Sequence, residues 1–485
     1  IFFFFYHTPL SDFAVSIMLI LSFIFIIKYV SNNPECCCIR AIPLNQNGIP
    51  LSPAKDKTMN YADQNKEALK AATPELEKNY KDLTLRNIQI DMTRGKPSTE
   101  QLDLADGLLA GIGREDCFGA DGTDYRNYGL GTGIKEAKAL FAEFLGVTEN
   151  EIIIGGNASL TLMYDILVGG MLFGMPGGLG PWSAEGPVKF LCPAPGYDRH
   201  FAICERLGIE MIAIDMDENG PNMDQVESYV ANDASVKGIW CVPKYSNPTG
   251  ATYSDEVVDR LAKMPTAAKD FRIIWDNAYA YHHLGKGPST VKNILDICKK
   301  VGTPDRPLLI GSTSKISLAG SGIAVMGGSV TNVKDAAVKI SYATIGADKI
   351  NQIRHIKFFG DMNGLKAHMD KHAEIVAPKF AAVERILNGR LGGKGIATWS
   401  KPEGGYFVSL DVIDGCAKEV VRLAGEAGVK MTGAGVTFPY SIDPRDRNIR
   451  IAPTLPPIEE IEHAMDVLSG CIELACVRKL TNDAS

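Results

Sequence analysis

Apolar and polar positions fall in blocks along most of the chain, and the blocks repeat one theme. An apolar run is followed by a turn of small and polar residues, then by apolar positions three and four apart. "EIIIGGNASLTLMYDILVGGML" (151–172) opens the series. "VKFLCPAPGYDRHFAICERLG", "VKGIWCVPKYSNPTG", "FRIIWDNAYAYHHL" and "PLLIGSTSKISLAG" continue it. Continuous apolar runs predict strands, and the three-to-four spacing predicts helices. Strands separated by helices predict βαβ units and a mainly parallel sheet, with chemistry at the carboxyl ends of its strands. All five polar turns follow a strand, where a single site can draw on them together.

The flanking texture differs. "NKEALKAATPELEKNYKDL" (65–83) predicts a helix with a charged outer face, and Ile88–Pro97 a short strand ending in the turn Gly95-Lys96-Pro97. Beyond residue 350 the pattern predicts a pair of long amphipathic helices over 361–389, a hairpin over 399–412 and a strand within 447–457. The predicted architecture is α/β. A large domain (106–350) carries a mainly parallel seven-stranded sheet, and a smaller α+β domain (351–485) is completed by residues 59–105.

Composition narrows the classes. The chain has 485 residues, enough for two or three domains, with a formal charge of −7 and no cluster of five or more basic residues, which argues against nucleic acid. Three of the eleven cysteines form Cys36-Cys37-Cys38 and none makes a CxxC pair, so a reducing, cytoplasmic setting is expected. Phe13–Val30 is almost wholly apolar and approaches the roughly 20 residues that span a bilayer. It reads either as a membrane anchor, with the cysteine triplet as an acylation site, or as part of a 1–58 extension foreign to the natural product, which would then begin at Met59.

"GSTSKISLAGSG" (311–322) places Lys315 among small residues after an apolar run; "WDNAY" places Asp276 and Tyr279; "YSNPTG" places Asn247; "IRIAPT" puts Arg450 inside an apolar strand. Each has an ordinary reading alone: a surface lysine, a helix cap, a turn, a structural ion pair with a small-domain acid. Together and in order, with Asn247 and Asp276 29 positions apart and Asp276 and Lys315 39 apart, they resemble a fold-type I pyridoxal-phosphate-dependent aminotransferase of class I/II. The resemblance runs from about Leu83 to the C-terminus. "YRNYGLGTGIKEAKALFAEFLGV" and "GAGVTFPYSIDPRDRNIRIAPTLPP" are most similar to a divergent subgroup of aspartate aminotransferases.

The resemblance implies roles. Lys315 forms the Schiff base with the cofactor aldehyde and moves the substrate Cα proton, work open to a desolvated lysine. Asp276 pairs with the pyridine nitrogen, Tyr279 and Asn247 hydrogen-bond the ring oxygen, Tyr197 stacks on the ring, and His200 orients Asp276. Asn157, Ala158, Ser159 and Ser312 hold the phosphate, and Tyr128 reaches it from a second subunit, implying a homodimer with shared sites. Arg450 takes the α-carboxylate as a bidentate fork, near the substrate-side turn at Gly95. The expected substrates are an amino acid, foremost L-aspartate, and 2-oxoglutarate, exchanged by ping-pong chemistry. In one departure, Ile323 stands where many relatives carry an arginine aimed at the phosphate, leaving hydroxyls such as Ser321, the helix dipole or another cation to serve.

Arg94, Lys96, Arg126, Arg199 and Lys244 lie near site loops as candidate partners for a side-chain carboxylate. The "GLGTG" at 129–133 lacks the preceding strand of a dinucleotide fingerprint. His368 and His372, one helical turn apart, lack a third metal ligand, and His282-His283 reads as packing; no metal is expected. Two alternatives remain: another reaction on the same cofactor (β-lyase, decarboxylase or cyclopropane-forming synthase), and a regulator using the fold to bind an effector. The second would bring a basic helix-turn-helix, which the first 80 residues do not contain.

Overall fold

The computed structural model describes residues 60–285 and 287–483. The apolar segment 13–30, the cysteine triplet and Met59 lie outside the described residues. Strand β1 (Ile90–Asp91) comes first. Then β2 (Ile152–Ile154), β3 (Lys189–Ala194), β4 (Glu210–Asp217), β5 (Gly220–Pro221), β6 (Val236–Cys241), β7 (Arg272–Asp276), β8 (Pro307–Ser312) and β9 (Ala324–Gly328) form one sheet. Its order is β2-β9-β8-β7-β6-β3-β4-β5. The run β8-β7-β6-β3-β4 is parallel throughout, and β9 lies antiparallel to both β8 and β2. The sheet thus has eight strands rather than the expected seven. The extra one, β5, is a two-residue return against β4, too short to leave an apolar pattern, and Gly220 takes the positive φ of 125° that its turn requires.

The sheet explains why its strands read as continuous apolar runs. Ile273 and Trp275 of β7 pack into one core with Leu309 and Ile239, while Ile274 packs into another with Leu308, Ile310 and Trp240. Side chains alternate between faces, and both faces are covered by helices.

A further core forms from β10 (Ala397–Trp399), β11 (Val408–Val412) and β13 (Asn448–Ile451), an antiparallel sheet, together with β12 (Val429–Lys430), which pairs in parallel with β1. Leu69, Leu76 and Leu83 of the helix Lys66–Thr84 pack there against Leu468, Ile472 and their neighbours in the helix Ile458–Asp483.

The helix pair expected over 361–389 is a single helix, Met362–Leu391, that runs through Pro378. Proline removes one hydrogen bond, but burial on both sides holds the helix together. Met362, Leu365 and Met369 belong to the core of the large sheet, and Val376, Phe380, Val383 and Leu387 to the other. The large core therefore reaches Met369, past the boundary expected at 350. Among the described residues no helix is long and apolar enough to cross a membrane, and the eight cysteines there are buried free thiols.

Candidate active site

Asp276 ends β7 and is 3% exposed. Its Oδ2 lies 3.0 Å from His200 Nε2, whereas its Oδ1 is buried without a hydrogen-bond partner. His200 is itself fixed, stacked on Trp240 with ring centres 4.2 Å apart. A buried carboxylate oxygen left unpaired is costly. Among the described residues no donor meets this oxygen, and the ring N–H of a protonated pyridine fits that need.

Lys315 lies in the loop after β8. Thr313 braces the loop: its Oγ1 accepts from Ile323 N at 2.9 Å and from Ser317 Oγ at 2.9 Å. Lys315 Nζ lies 5.1 Å from the centre of the Tyr279 ring and makes no hydrogen bond or ion pair among the described residues. Burial lowers its pKa below the ordinary lysine value, and the nearby Asp276 offsets that only in part. The Lys315 carbonyl is held from two sides, by the Tyr406 hydroxyl at 3.3 Å and by His282 Nε2 at 3.2 Å. Gln101 Nε2 donates to the Tyr406 hydroxyl at 2.9 Å. Burial keeps the His282 pKa well below the ordinary value and raises that of Tyr279, so His282 is neutral and its Nε2–H is the donor.

Asn157, Ala158 and Ser159 begin the helix Ser159–Phe173. Ala158, at the N-cap, offers no side-chain acceptor, which leaves backbone N–H groups free at the positive end of the helix. Asn157 Nδ2 donates to Gly320 O at 3.0 Å and Ser314 Oγ to Asn157 O at 3.3 Å, tying this helix start to the lysine loop. Ser312 closes β8 and is buried. Ile323 is 1% exposed and packs into the core of the sheet. Ser321 is exposed, and its carbonyl accepts from Asn351 Nδ2 at 3.1 Å. Tyr128 is 84% exposed, and its hydroxyl makes no hydrogen bond among the described residues.

On the opposite side Arg450 sits in β13, buried, with its guanidinium 5.1 Å from the centre of the Phe407 ring. Its Nη1 donates to Asp198 Oδ1 at 2.8 Å and to Asn247 Oδ1 at 3.4 Å; its Nε is buried and unpartnered. Arg450 thus has an acidic partner, but one from the large-sheet part of the chain rather than the small-domain acid considered above. Gly95 lies against the same ring: a Cβ there would sit 2.5 Å from Phe407 Cζ. Tyr197 meets His200 edge-on at 4.9 Å, and its pKa is pushed up to about 12, by burial first and then by Asp276 and Asp198. Tyr279 lies within electrostatic reach of Tyr197, Asp276 and Arg450. These groups therefore share one site.

Arg94, Lys96 and Arg199 are exposed and make no side-chain hydrogen bond or ion pair among the described residues, whereas Arg126 pairs with Asp124 at 2.6 Å. Lys244 Nζ donates to Ala280 O at 3.0 Å and lines a separate cavity of about 770 Å³ with Tyr281, His283 and Asp370. His368 Nε2 lies 2.7 Å from Ile316 O and His372 Nδ1 3.0 Å from Gln101 Nε2. Both histidines belong to the polar network beneath the lysine loop. Asp198, Gln101, Tyr406, Thr313 and Ser314 were not singled out from the sequence. Asp198 carried a faint signal as the acid that opens a helix, but its partner is 252 positions away.

The sequence family described as aspartate amino-transferase matches residues 64–484. An aspartate aminotransferase of Corynebacterium glutamicum is 46% identical over 408 residues, 84% of this chain and 94% of that protein. The crystal structure of an aspartate transaminase from Corynebacterium glutamicum matches with a TM-score of 0.85 at 45% identity, covering 87% of this chain and 99% of that one. An α-aminoadipate aminotransferase of Thermus thermophilus, complexed with N-(5'-phosphopyridoxyl)-L-leucine, has a TM-score of 0.66 at 20% identity over 82% of this chain and 95% of that one, a likeness of fold.

Proposed function

The chain belongs to the aspartate aminotransferase family and is a transaminase; on that premise we propose L-aspartate and 2-oxoglutarate as its substrate pair. Aminotransferases of this fold use pyridoxal phosphate, and we assign its site here to the residues around Lys315 and Asp276. The observation that carries the assignment is the buried Oδ1 of Asp276 near Lys315, that oxygen and the lysine ammonium both without a hydrogen-bond partner among the described residues. When bound, pyridoxal phosphate supplies an electrophilic carbonyl carbon and a ring that takes up the electrons released when a Cα–H bond breaks.

The chain's own groups do the rest. Asp276, oriented by His200, keeps a proton on the ring nitrogen by offering a fixed negative charge. Lys315, desolvated and so readily neutral, would act as the base that takes the substrate Cα proton and as the acid that later gives a proton back. Tyr406 and His282 fix the lysine backbone, which limits where Nζ can travel. Asn157, Ala158, Ser159 and Ser312 would hold the phosphate. With Ile323 in the core, its charge is met by the helix N-terminus and hydroxyls. Asn247 and Tyr279 would hydrogen-bond the ring oxygen, and Tyr197 would stack on the ring.

Arg450 would bind the α-carboxylate of both substrates. Arg94 and Lys96 flank Gly95 and, like Arg199, make no side-chain hydrogen bond or ion pair among the described residues; their place beside that turn makes them our candidates to meet the second carboxylate. Tyr128, Tyr342 and Leu179, 84%, 90% and 93% exposed, support a homodimer in which Tyr128 reaches the phosphate of the second copy. Steady-state rates with both substrates varied test the reading. Parallel double-reciprocal lines, with oxaloacetate and L-glutamate formed one for one, are expected; an amino acid other than aspartate turned over a hundredfold better would overturn the substrate.

A further inference from the structure

Arg450 already has an anion, and the chain itself supplies it. The two halves of the Asp198–Arg450 pair are held unequally. The Arg450 side chain is 7% exposed, carried on β13 at the edge of the three-stranded sheet and confined by Phe407 and Asn247. The Asp198 side chain is 33% exposed and is the first residue of the helix Asp198–Arg206. Arg450 has nowhere to move, whereas Asp198 can turn toward water and keep the favourable field of its helix N-terminus.

A buried guanidinium with no anion at all would be costly, and Asp198 removes that cost while no substrate is present. It uses one donor, Nη1, and leaves Nε buried and unsatisfied. A carboxylate entering as a bidentate fork satisfies two parallel N–H groups at once and brings a second negative charge to the same cation. The two anions repel, and the exposed one is the one free to leave.

Building on the reading of Arg450 as the α-carboxylate site, we infer that Asp198 is a built-in competitor for that subsite. It occupies Arg450 in the ligand-free enzyme and swings aside when an amino acid or a 2-oxo acid binds. Arg450 receives the α-carboxylate in both half-reactions, so the competition weakens donor and acceptor by the same factor and hastens release of both products. The pair also joins the helix after β3 to β13, beside the backbone bond Gly196 N to Thr437 O at 2.7 Å. Carboxylate exchange at Arg450 therefore takes place at a seam between two cores.

The test uses holoenzymes carrying Asp198→Asn and Asp198→Ala, each checked for full cofactor absorbance and an unfolding midpoint near that of the parent. α-Methyl-aspartate, which has no Cα hydrogen and binds without reacting, is titrated through the cofactor absorbance; 2-oxoglutarate is titrated against the amino form. Dissociation constants should fall in the order parent, Asn, Ala, by about fivefold or more in the alanine variant and by similar factors for both ligands. Unchanged constants, or the reverse order, would overturn the inference and make Asp198 a residue that orients Arg450. Arg450→Gln separates the two layers. If it binds α-methyl-aspartate as tightly as the parent, the reading of Arg450 itself fails. If it loses binding while the Asp198 variants gain none, only the competitor fails.

Discussion

Lys315 and Lys244 both follow strands of the central sheet, and in both burial lowers the pKa, for Lys244 to about 8. Each ammonium lies over a tyrosine ring, 5.1 Å from Tyr279 and 5.3 Å from Tyr245. A histidine stands beside each, His282 on the Lys315 carbonyl and His283 on the Tyr245 hydroxyl at 2.8 Å. What surrounds them differs. Lys244 donates to a backbone carbonyl and opens to a cavity whose Asp370 is exposed rather than buried. Lys315 keeps its nitrogen free and stands near Asp276, with an uncapped helix start tied to its loop. A lowered pKa makes an amine available; the groups around it decide whether there is anything for it to act on.

The largest expected effect breaks the comparison outright. Lys315→Ala should lower kcat/KM for aspartate by about 10⁴-fold, the scale of losing a positioned proton-transfer group, while Lys244→Met stays within about threefold. Comparable losses would mean that Lys244 also serves the reaction. Asp276→Asn should cost about 10²–10³-fold, mainly in kcat, because a fixed charge aimed at the reacting centre is gone. It should also weaken retention of the cofactor on dialysis. Arg450→Lys should cost about 10–100-fold, mainly as raised KM for both substrates, since an ammonium cannot reproduce the fork.

The smallest effect concerns pH. The folded chain releases the Lys244 proton near pH 8, ahead of the unfolded chain near 10.5. Between those values the unfolded state holds more protons, so stability rises with pH across that window. Lys244→Met removes the penalty of a buried charge. Its midpoint should exceed that of the parent by a few degrees at most at pH 7, and the gap should close by pH 10.5. A gap that widens with pH would contradict the assignment of desolvation as the cause.

Much of this was legible in the sequence for a physical reason. Strands buried on both faces are continuous apolar runs, and the polar turns after them stand out, so Asn247, Asp276 and Lys315 could be picked out beside one another. The resemblance that those motifs carry in order is to the family that the relatives bear out. What escaped was either too short or too distant to leave a periodic trace. β5 has two residues. The helix pair expected over 361–389 is one helix, held through Pro378 by burial against two cores. Asp198 and Arg450 meet across 252 positions, and Gln101, His282 and Tyr406 converge on Lys315 from three separate segments. Ile323 told of a missing cation but not that the position would turn into the core.

On the reading proposed here, Lys315, Asp276 and Arg450 form one transaminating site. Its most direct test is the absorbance of the protein with bound pyridoxal phosphate as L-aspartate and then 2-oxoglutarate are added. The long-wavelength cofactor band should disappear with aspartate and return with 2-oxoglutarate, and borohydride should fix the cofactor's mass on Lys315. A protein that stays colourless with added pyridoxal phosphate, or whose band ignores both substrates, would contradict it.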